Sequence, residues 1–403
     1  MTSRSLELGG ASEAAIPAKP AASVRLDAVD ALRGIVMILM AIDHVRDFVG
    51  PQVGFRIDVE KTGAALFFTR WITHFCAPVF VLLAGTSAFL QAARGKSRSE
   101  LSRFLLTRGA WLVLLEITVI RVGWTFDLGY HLTPLQVIWA IGWSMIALAG
   151  LVFLPVRAVA AIGIGMIVGH NLLDGVSPER SSALGVLWSI LHEPGPFQPA
   201  PGRYVFIAYP LVPWIGVMAA GYGLGALLEG SPAERRGRLF KLGAAITLAF
   251  VIVRLVNVYG DPAPWSSQES ALGTVLSFLN CRKYPPSLSY LLMTLGPALL
   301  VLGALEGRAL PGKDVLLAFG RAPLFYYILH LFLIHASAAV MHYALHGDAV
   351  FSWEHLGLPA EAQHGLPFVY GYTFAVVAAL YPLCRWFADL KRRRRDLTIL
   401  GYL

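Results

Sequence analysis

The sequence predicts an all-α fold, a polytopic membrane helix bundle of about ten transmembrane helices with both termini in the cytoplasm. Three observations lead there. Hydrophobic residues make up 56% of the 403 and charged residues only 14%, a balance that a water-soluble globule could carry only by exposing large apolar patches. Apolar windows of membrane-spanning length occupy residues 31–49, 64–90, 101–122, 132–154, 156–173, 204–228, 239–259, 287–305, 315–345 and 366–390. An even number of spans puts both ends on one side. Arg94, Lys96, Arg98, Arg103, Arg157, Arg235, Arg236, Arg238, Lys241, Arg308 and Lys313 gather in the loops of that side, the pattern of cytoplasmic loops.

Residues 1–24, with Glu7, Glu13 and several Ala and Pro, contain no apolar core of signal-peptide length, so they read as a flexible cytoplasmic tail. The first window then acts as an uncleaved anchor. Residues 25–390 read as a single transmembrane domain and 391–403, opening on a run of Lys and Arg, as a basic cytoplasmic tail. Two long connections, Asp174 to Arg203 and Gly260 to Pro286, face outward and are rich in Pro, Gly, Ser and aromatic residues. Loops of that length often serve as lids or binding elements. No solenoid-length repeat and no duplicated half is visible, which removes support for a repeat-based transporter.

The formal net charge is +8, yet the basic residues sit in short loops and in the run from Lys391. That distribution orients the chain in a membrane and points away from nucleic acid. Cys76, Cys281 and Cys384 are far apart and show no metal-ligand spacing, so neither a disulfide framework nor a zinc site is expected. His342 and His346 are one turn apart but lack a His-Glu-Xaa-Xaa-His pattern, and no metal is expected there. The glycines around Gly221 fall inside an apolar window and suit close helix packing better than a phosphate loop.

The first window carries the most informative polar groups. Arg33 and His44 are eleven residues apart, about three helical turns and roughly 16 Å of rise, so they share one stripe. Ionisable groups in a span are costly and usually have a use. Asp43 with Arg46, and His44 with Asp47, are three-residue pairs that can meet on a helix. A carboxylate beside an imidazole can fix its tautomer and stabilise the imidazolium, as general-base catalysis requires; the same residues could equally form an ion-pair cluster capping the helix end. Arg70 and His74, Glu116 and Arg121, Arg254 and Asn257, and His330 and His335 fall at a similar depth in other windows. Together they could line one hydrated cavity.

Four stretches, RLDAVDALRG (25–34), THFCAPVFVLLAGTS (73–87), KYPPSL (283–288) running into MTLGP (293–297), and FGRAPLFYYILH (319–330), resemble bacterial members of the heparan-alpha-glucosaminide N-acetyltransferase catalytic-domain family. The family is similar to the acyltransferase type 3 proteins, whose first-span Arg and His, ten residues between them, match Arg33 and His44. The resemblance implies transfer of an acyl group, commonly acetyl from cytoplasmic acetyl-CoA, to a glycan or small-molecule acceptor across the bacterial inner membrane. In that reading Arg33, Arg103 and Arg108 hold the phosphates of acetyl-CoA, as planar guanidinium groups can. His44 is the base, oriented by Asp43 or Asp47, with Arg70, His74 or His330 donating to the developing oxyanion. Arg46, Arg70, Arg121, Lys283 and Tyr284 meet the acceptor. Lysosomal relatives place a histidine in the loop after the first span; this chain has none between Val45 and Thr73, so the role falls to His44 or His74. The partners expected are acyl-CoA, the acceptor, the lipid bilayer and, compatibly, a second copy in a homodimer. The rival reading is a proton-coupled transporter or flippase using Asp43, His44, His74 and Glu116 as a relay, which accounts for the buried ionisable groups but not for the ordered stretches.

Overall fold

The computed structural model describes residues 26–54, 57–308, 311–347, 357–394 and 396–402. The segment 1–24 expected to form a tail lies outside the described residues. The chain folds as a bundle of helices running back and forth, each apolar window of the sequence holding a helix. Among the described residues, six helices are long and apolar enough to cross a membrane: Ala64–Ala93, broken once as described below, Val156–Leu173, Pro232–Val256, Leu288–Leu305, Pro323–His346 and Leu366–Arg393. The other windows hold helices that are shorter, Val137–Leu151 and Leu211–Leu227, or that carry several charges, Asp27–Val49 and Arg98–Leu115.

The helices are α1 (Asp27–Val49), α2 (Ala64–Thr73), α3 (Cys76–Ala93), α4 (Arg98–Leu115), α5 (Arg121–Thr125), α6 (Val137–Leu151), α7 (Val156–Gly169), α8 (Ala183–Leu191), α9 (Leu211–Leu227), α10 (Pro232–Val256), α11 (Ala271–Leu279), α12 (Leu288–Leu305), α13 (Lys313–Arg321), α14 (Pro323–His346) and α15 (Leu366–Arg393). Because α15 runs on to Arg393, the first three basic residues of the expected tail are helical. The dominant pairings are α3 on α9, α7 on α9, α10 on α12 and α4 on α6, while α1 packs against α13, α14 and α15.

The bundle is not purely helical. Strands β1 (Leu132–Leu135), β2 (Gly195–Ala200) and β3 (Arg203–Ile207) form a small sheet in the order β1-β3-β2, with β1 parallel to β3 and β2 antiparallel to it. The windows 132–154 and 204–228 therefore open on strand. The local reasons are Pro134, which has no N–H for a helix interior, and the β-branched and aromatic run Arg203–Ile207, which favours a pleated surface. The two long connections likewise hold structure of their own, α8 with β2 in one and α11 in the other.

Proline also explains two breaks that place site residues. Pro78 cannot donate to the carbonyl of His74, so the second window is interrupted at His74 and Phe75. The freed His74 carbonyl accepts a hydrogen bond from the Tyr290 hydroxyl at 2.7 Å. Pro323 drives Ala322 out of the α region (φ −126°, ψ 44°), which divides the ninth window into α13 and α14. At the third window α4 passes into α5 through a π-helical turn, Glu116–Ile120, a distortion that recurs near functional sites.

Close approach of α1 and α13 depends on two glycines. A Cβ on Gly34 would sit 2.0 Å from the Leu316 carbonyl oxygen, and one on Gly320 1.8 Å from that of Asp30. Both obstacles are backbone, so a methyl group there must push the helices apart. Gly320→Ala is expected to cost about 1–3 kcal/mol, measured as a lower unfolding midpoint in detergent, whereas Gly237→Ala, in α10 where a Cβ meets nothing within 4 Å, should hold or raise the midpoint.

Candidate active site

Arg33, Met37, Met40 and His44 follow one another at intervals of four, three and four residues, which is one face of α1. The first three line a cavity of about 440 Å³ enclosed by α1, α3, α4, α6, α13 and α14. Its walls are mostly apolar, including Phe80, Leu105, Ile138 and Met145. Its mouth carries Arg33, Arg108, Arg321 and Lys391, and its inner end reaches Met40 and Tyr327.

His44 stands one turn beyond Met40, with Tyr327 edge-on to its ring at a centroid distance of 5.9 Å. Its Nδ1 lies 2.7 Å from Nε2 of His330. His330 Nδ1 lies 2.9 Å from the Tyr326 carbonyl oxygen, which can only accept. His330 therefore donates from Nδ1 and, when neutral, accepts at Nε2, so His44 must donate from Nδ1. That fixes the His44 tautomer and leaves the lone pair on its Nε2. Of the two rings only His44 keeps any exposure, 8% against 0%. Trp124 packs edge-on against His44 at 4.8 Å. The Trp124 Nε1 and the Tyr327 hydroxyl are buried donors that face one another and lack a well-formed hydrogen bond.

The carboxylates on α1 do different work from the one expected of them. Asp43 and Asp47 both accept from Arg46 Nη2, at 2.8 and 2.6 Å, and Asp43 also faces Lys283 Nζ at 3.7 Å. Arg46 is 1% exposed, so it is a buried bridge between two carboxylates. The group that orients His44 is His330, not Asp43 or Asp47. In the loop before α12, burial works against the Lys283 charge, but Tyr284 and Asp43 outweigh it and hold the ammonium above its usual range. Tyr284 packs edge-on to Tyr209 and, with Arg180 and Arg282, borders a second cavity of about 190 Å³ at the sheet end of the bundle.

The remaining expected residues separate. Arg70 is buried and donates to the Val53 carbonyl at 3.1 Å. The His74 ring is buried against Tyr290 with neither nitrogen bonded. Arg121 reaches Asp127 and the Leu132 carbonyl and lies over the Tyr130 ring, and Arg254 binds the carbonyls of Ala263, Ser277, Phe278 and Asn280. Arg254 thus serves carbonyls at the end of α11, where helical partners are lacking, and Arg121 ties α5 to the following loop and β1; neither lines the cavity beside α1. Glu116 accepts from the Gln136 amide at 2.7 Å, and His335 Nδ1 faces the Gly123 carbonyl at 2.8 Å. Arg103 is exposed and is not among the cavity-lining residues. Arg321, Lys391 and Tyr327 were not singled out from sequence, although Arg321 and Tyr327 sit inside the stretch 319–330. The three cysteines are free and buried.

The family model for the heparan-alpha-glucosaminide N-acetyltransferase catalytic domain matches residues 25–255, more than half of the chain and all of α1 to α9. The chain belongs to this family. No curated protein matches it. Membership makes a membrane acetyltransferase the natural frame for the site. The matched stretch contains Arg33, His44 and Arg108, whereas Arg321, His330 and Lys391 lie beyond it.

The Arg46 bridge gives a stability prediction. Arg46→Leu removes the buried cation shared by two carboxylates, leaving Asp43 to Lys283 and Asp47 to solvent at its partly exposed side, and is expected to cost about 1–3 kcal/mol. Thermal unfolding in detergent measures it, and adding Asp43→Asn and Asp47→Asn to the Arg46→Leu variant should restore much of the loss.

Proposed function

We propose that this chain is a membrane-embedded acetyltransferase that moves an acetyl group from cytoplasmic acetyl-CoA to a glycan or other hydroxyl- or amine-bearing acceptor at the outer face of a bacterial inner membrane. In this reading ten spans cross the membrane and both termini lie in the cytoplasm, with the Arg33 end inward and the sheet outward. The observation that carries it is the cavity lined by four basic side chains and by Met40 and Tyr327, the latter with its ring 5.9 Å from that of His44.

The residues present fit such a donor. Arg33, Arg108, Arg321 and Lys391 would hold its phosphates by charge-assisted hydrogen bonds, and the apolar walls suit its long arm. The donor supplies an activated thioester. His44 Nε2, its lone pair set by the bond to His330, takes the proton from the acceptor as the acceptor oxygen or nitrogen attacks the thioester carbon. As the carbon–sulfur bond breaks, His44 returns that proton to the leaving thiolate. Tyr327 and Trp124, whose buried donors lack a well-formed bond, would hydrogen-bond the oxyanion that forms between these steps. Imidazolium formation on His44 is shared through His330, which is why a second imidazole replaces the carboxylate familiar from other catalytic histidines. Asp43, Arg46, Lys283 and Tyr284 would form the acceptor side.

The test is acetyl-CoA turnover by purified protein with a panel of glycan acceptors, beside calorimetric binding of acetyl-CoA. His44→Ala should lower turnover by about 10²–10⁴-fold with little change in donor affinity; turnover retained in that variant would sink the assignment. Arg321→Ala should weaken acetyl-CoA while leaving dephosphorylated pantetheine thioesters less affected. Absence of acetyl-CoA binding to the folded wild type would overturn the donor site.

A further inference from the structure

At the sheet end, away from the histidine pair, His170, Asp174 and His192 come together. His170 is the C-cap of α7, Asp174 follows four residues later, and His192 is the C-cap of α8. One ligand atom from each lies within 4.8 Å of the others. His192 Nε2 is 3.1 Å from Asp174 Oδ1. The other Asp174 oxygen accepts from the Asn171 amide at 2.8 Å, and the Asn171 carbonyl oxygen accepts from the Leu288 N–H at 2.9 Å. The carboxylate is thereby held from behind with one oxygen turned to the two imidazoles.

A hydrogen-bonded Asp174–His192 pair accounts for two of these residues and not for the third. His170 is only 2% exposed, and neither of its ring nitrogens makes a well-formed hydrogen bond, nor does Nδ1 of His192. The Pro286 carbonyl stands near the His170 ring and can serve one nitrogen at most. Burying an imidazole with a nitrogen unsatisfied is unfavourable. A cation placed among the three groups would take that nitrogen, with the Pro286 carbonyl as the outer partner of the ring. The negative end of the α7 dipole, which points at His170, favours positive charge there.

We propose that His170, Asp174 and His192 bind a first-row divalent cation, zinc by the character of the ligands, and that this ion pins the Asp174–Arg203 connection to the end of α7. Two imidazoles and one carboxylate form a three-ligand set that zinc accepts with a further position open to water. Magnesium, which prefers oxygen ligands and keeps its waters, is a poor match. The site is distinct from the acetyl-transfer residues. It borders them functionally through the smaller cavity, because Pro194 and Gly195, just after His192, form one wall beside Arg180. The ion would hold that wall in place.

The experiment uses the full chain, purified in detergent, stripped with a chelator, re-equilibrated with zinc chloride and desalted, with metal measured by plasma emission. About one equivalent of zinc should remain, raising the unfolding temperature, and magnesium should not substitute. His170→Ala and His192→Ala should each weaken zinc at least tenfold, while His346→Ala retains it. Cobalt(II) bound to the unaltered protein should give the visible absorption of a four- or five-coordinate site, a readout that stands even if the variants fail to fold. A folded, monodisperse wild type that keeps no zinc and gives no such cobalt spectrum overturns the proposal, as does a His170→Ala, His192→Ala double variant that still holds a full equivalent. Loss of acetyl transfer alone bears on neither outcome, since the readouts are metal content and spectrum.

Discussion

A polar group inside an apolar bundle must find its partner within the protein, and α1 buries three ionisable ones, Asp30, His44 and Arg46. Their solutions fix the neighbours. Asp30 and Arg33 are satisfied by one another and by α13 and α3, through the Gly320 carbonyl and Ser87 at 3.3 and 3.0 Å. Arg46 gathers Asp43 and Asp47. His44 is held by α14 through His330. Gly320, Ser87 and His330 tie α13, α3 and α14 to α1, while Arg46 is satisfied by carboxylates of α1 itself, and the glycines at 34 and 320 allow α13 to come close enough.

This arrangement links the two ends of the cavity through one rigid helix. The basic mouth and His44 are separated by three turns of α1, so their spacing does not depend on loop conformation. Opposite, the same span is covered by two helices with a break at Ala322, Arg321 on one side of it and His330 on the other. The histidine pair is therefore built from α1 and α14, and the mouth from α1 and α13 with Arg108 of α4 and Lys391 of α15.

What could be read in the sequence follows the range of the signal. Helical periodicity placed Arg33 and His44 on one face because that relation is local, and apolar windows located the helices because a bilayer imposes length. The His44–His330 bond joins residues 286 positions apart, and no spacing rule reports it; a nearby carboxylate was the reasonable local candidate, and Arg46 claimed both. Arg121 and Arg254 looked like site residues since they are charged groups at helix ends, yet helix ends are also where carbonyls need donors. The strands were hidden because short apolar runs read alike in helix and sheet. Lys391 belonged to a run whose obvious meaning was orientation, which concealed its place at the cavity mouth. His170 and Asp174 had helical spacing, but His192 comes only after a whole helix.

The basic mouth is already occupied by the protein's own anions. Asp27 pairs with Lys313 and Arg321 at 3.0 Å each, and Asp30 with Arg33 at 3.1 Å. A phosphate-bearing molecule entering there exchanges with resident carboxylates, so its gain is a difference between two sets of ion pairs. In the proposed reading such a mouth would trade tight holding for rapid turnover of its occupant: Asp27 and Asp30 would re-pair with Arg321 and Arg33 as the spent carrier left, and no bare cluster of cations would have to be rehydrated before the next one.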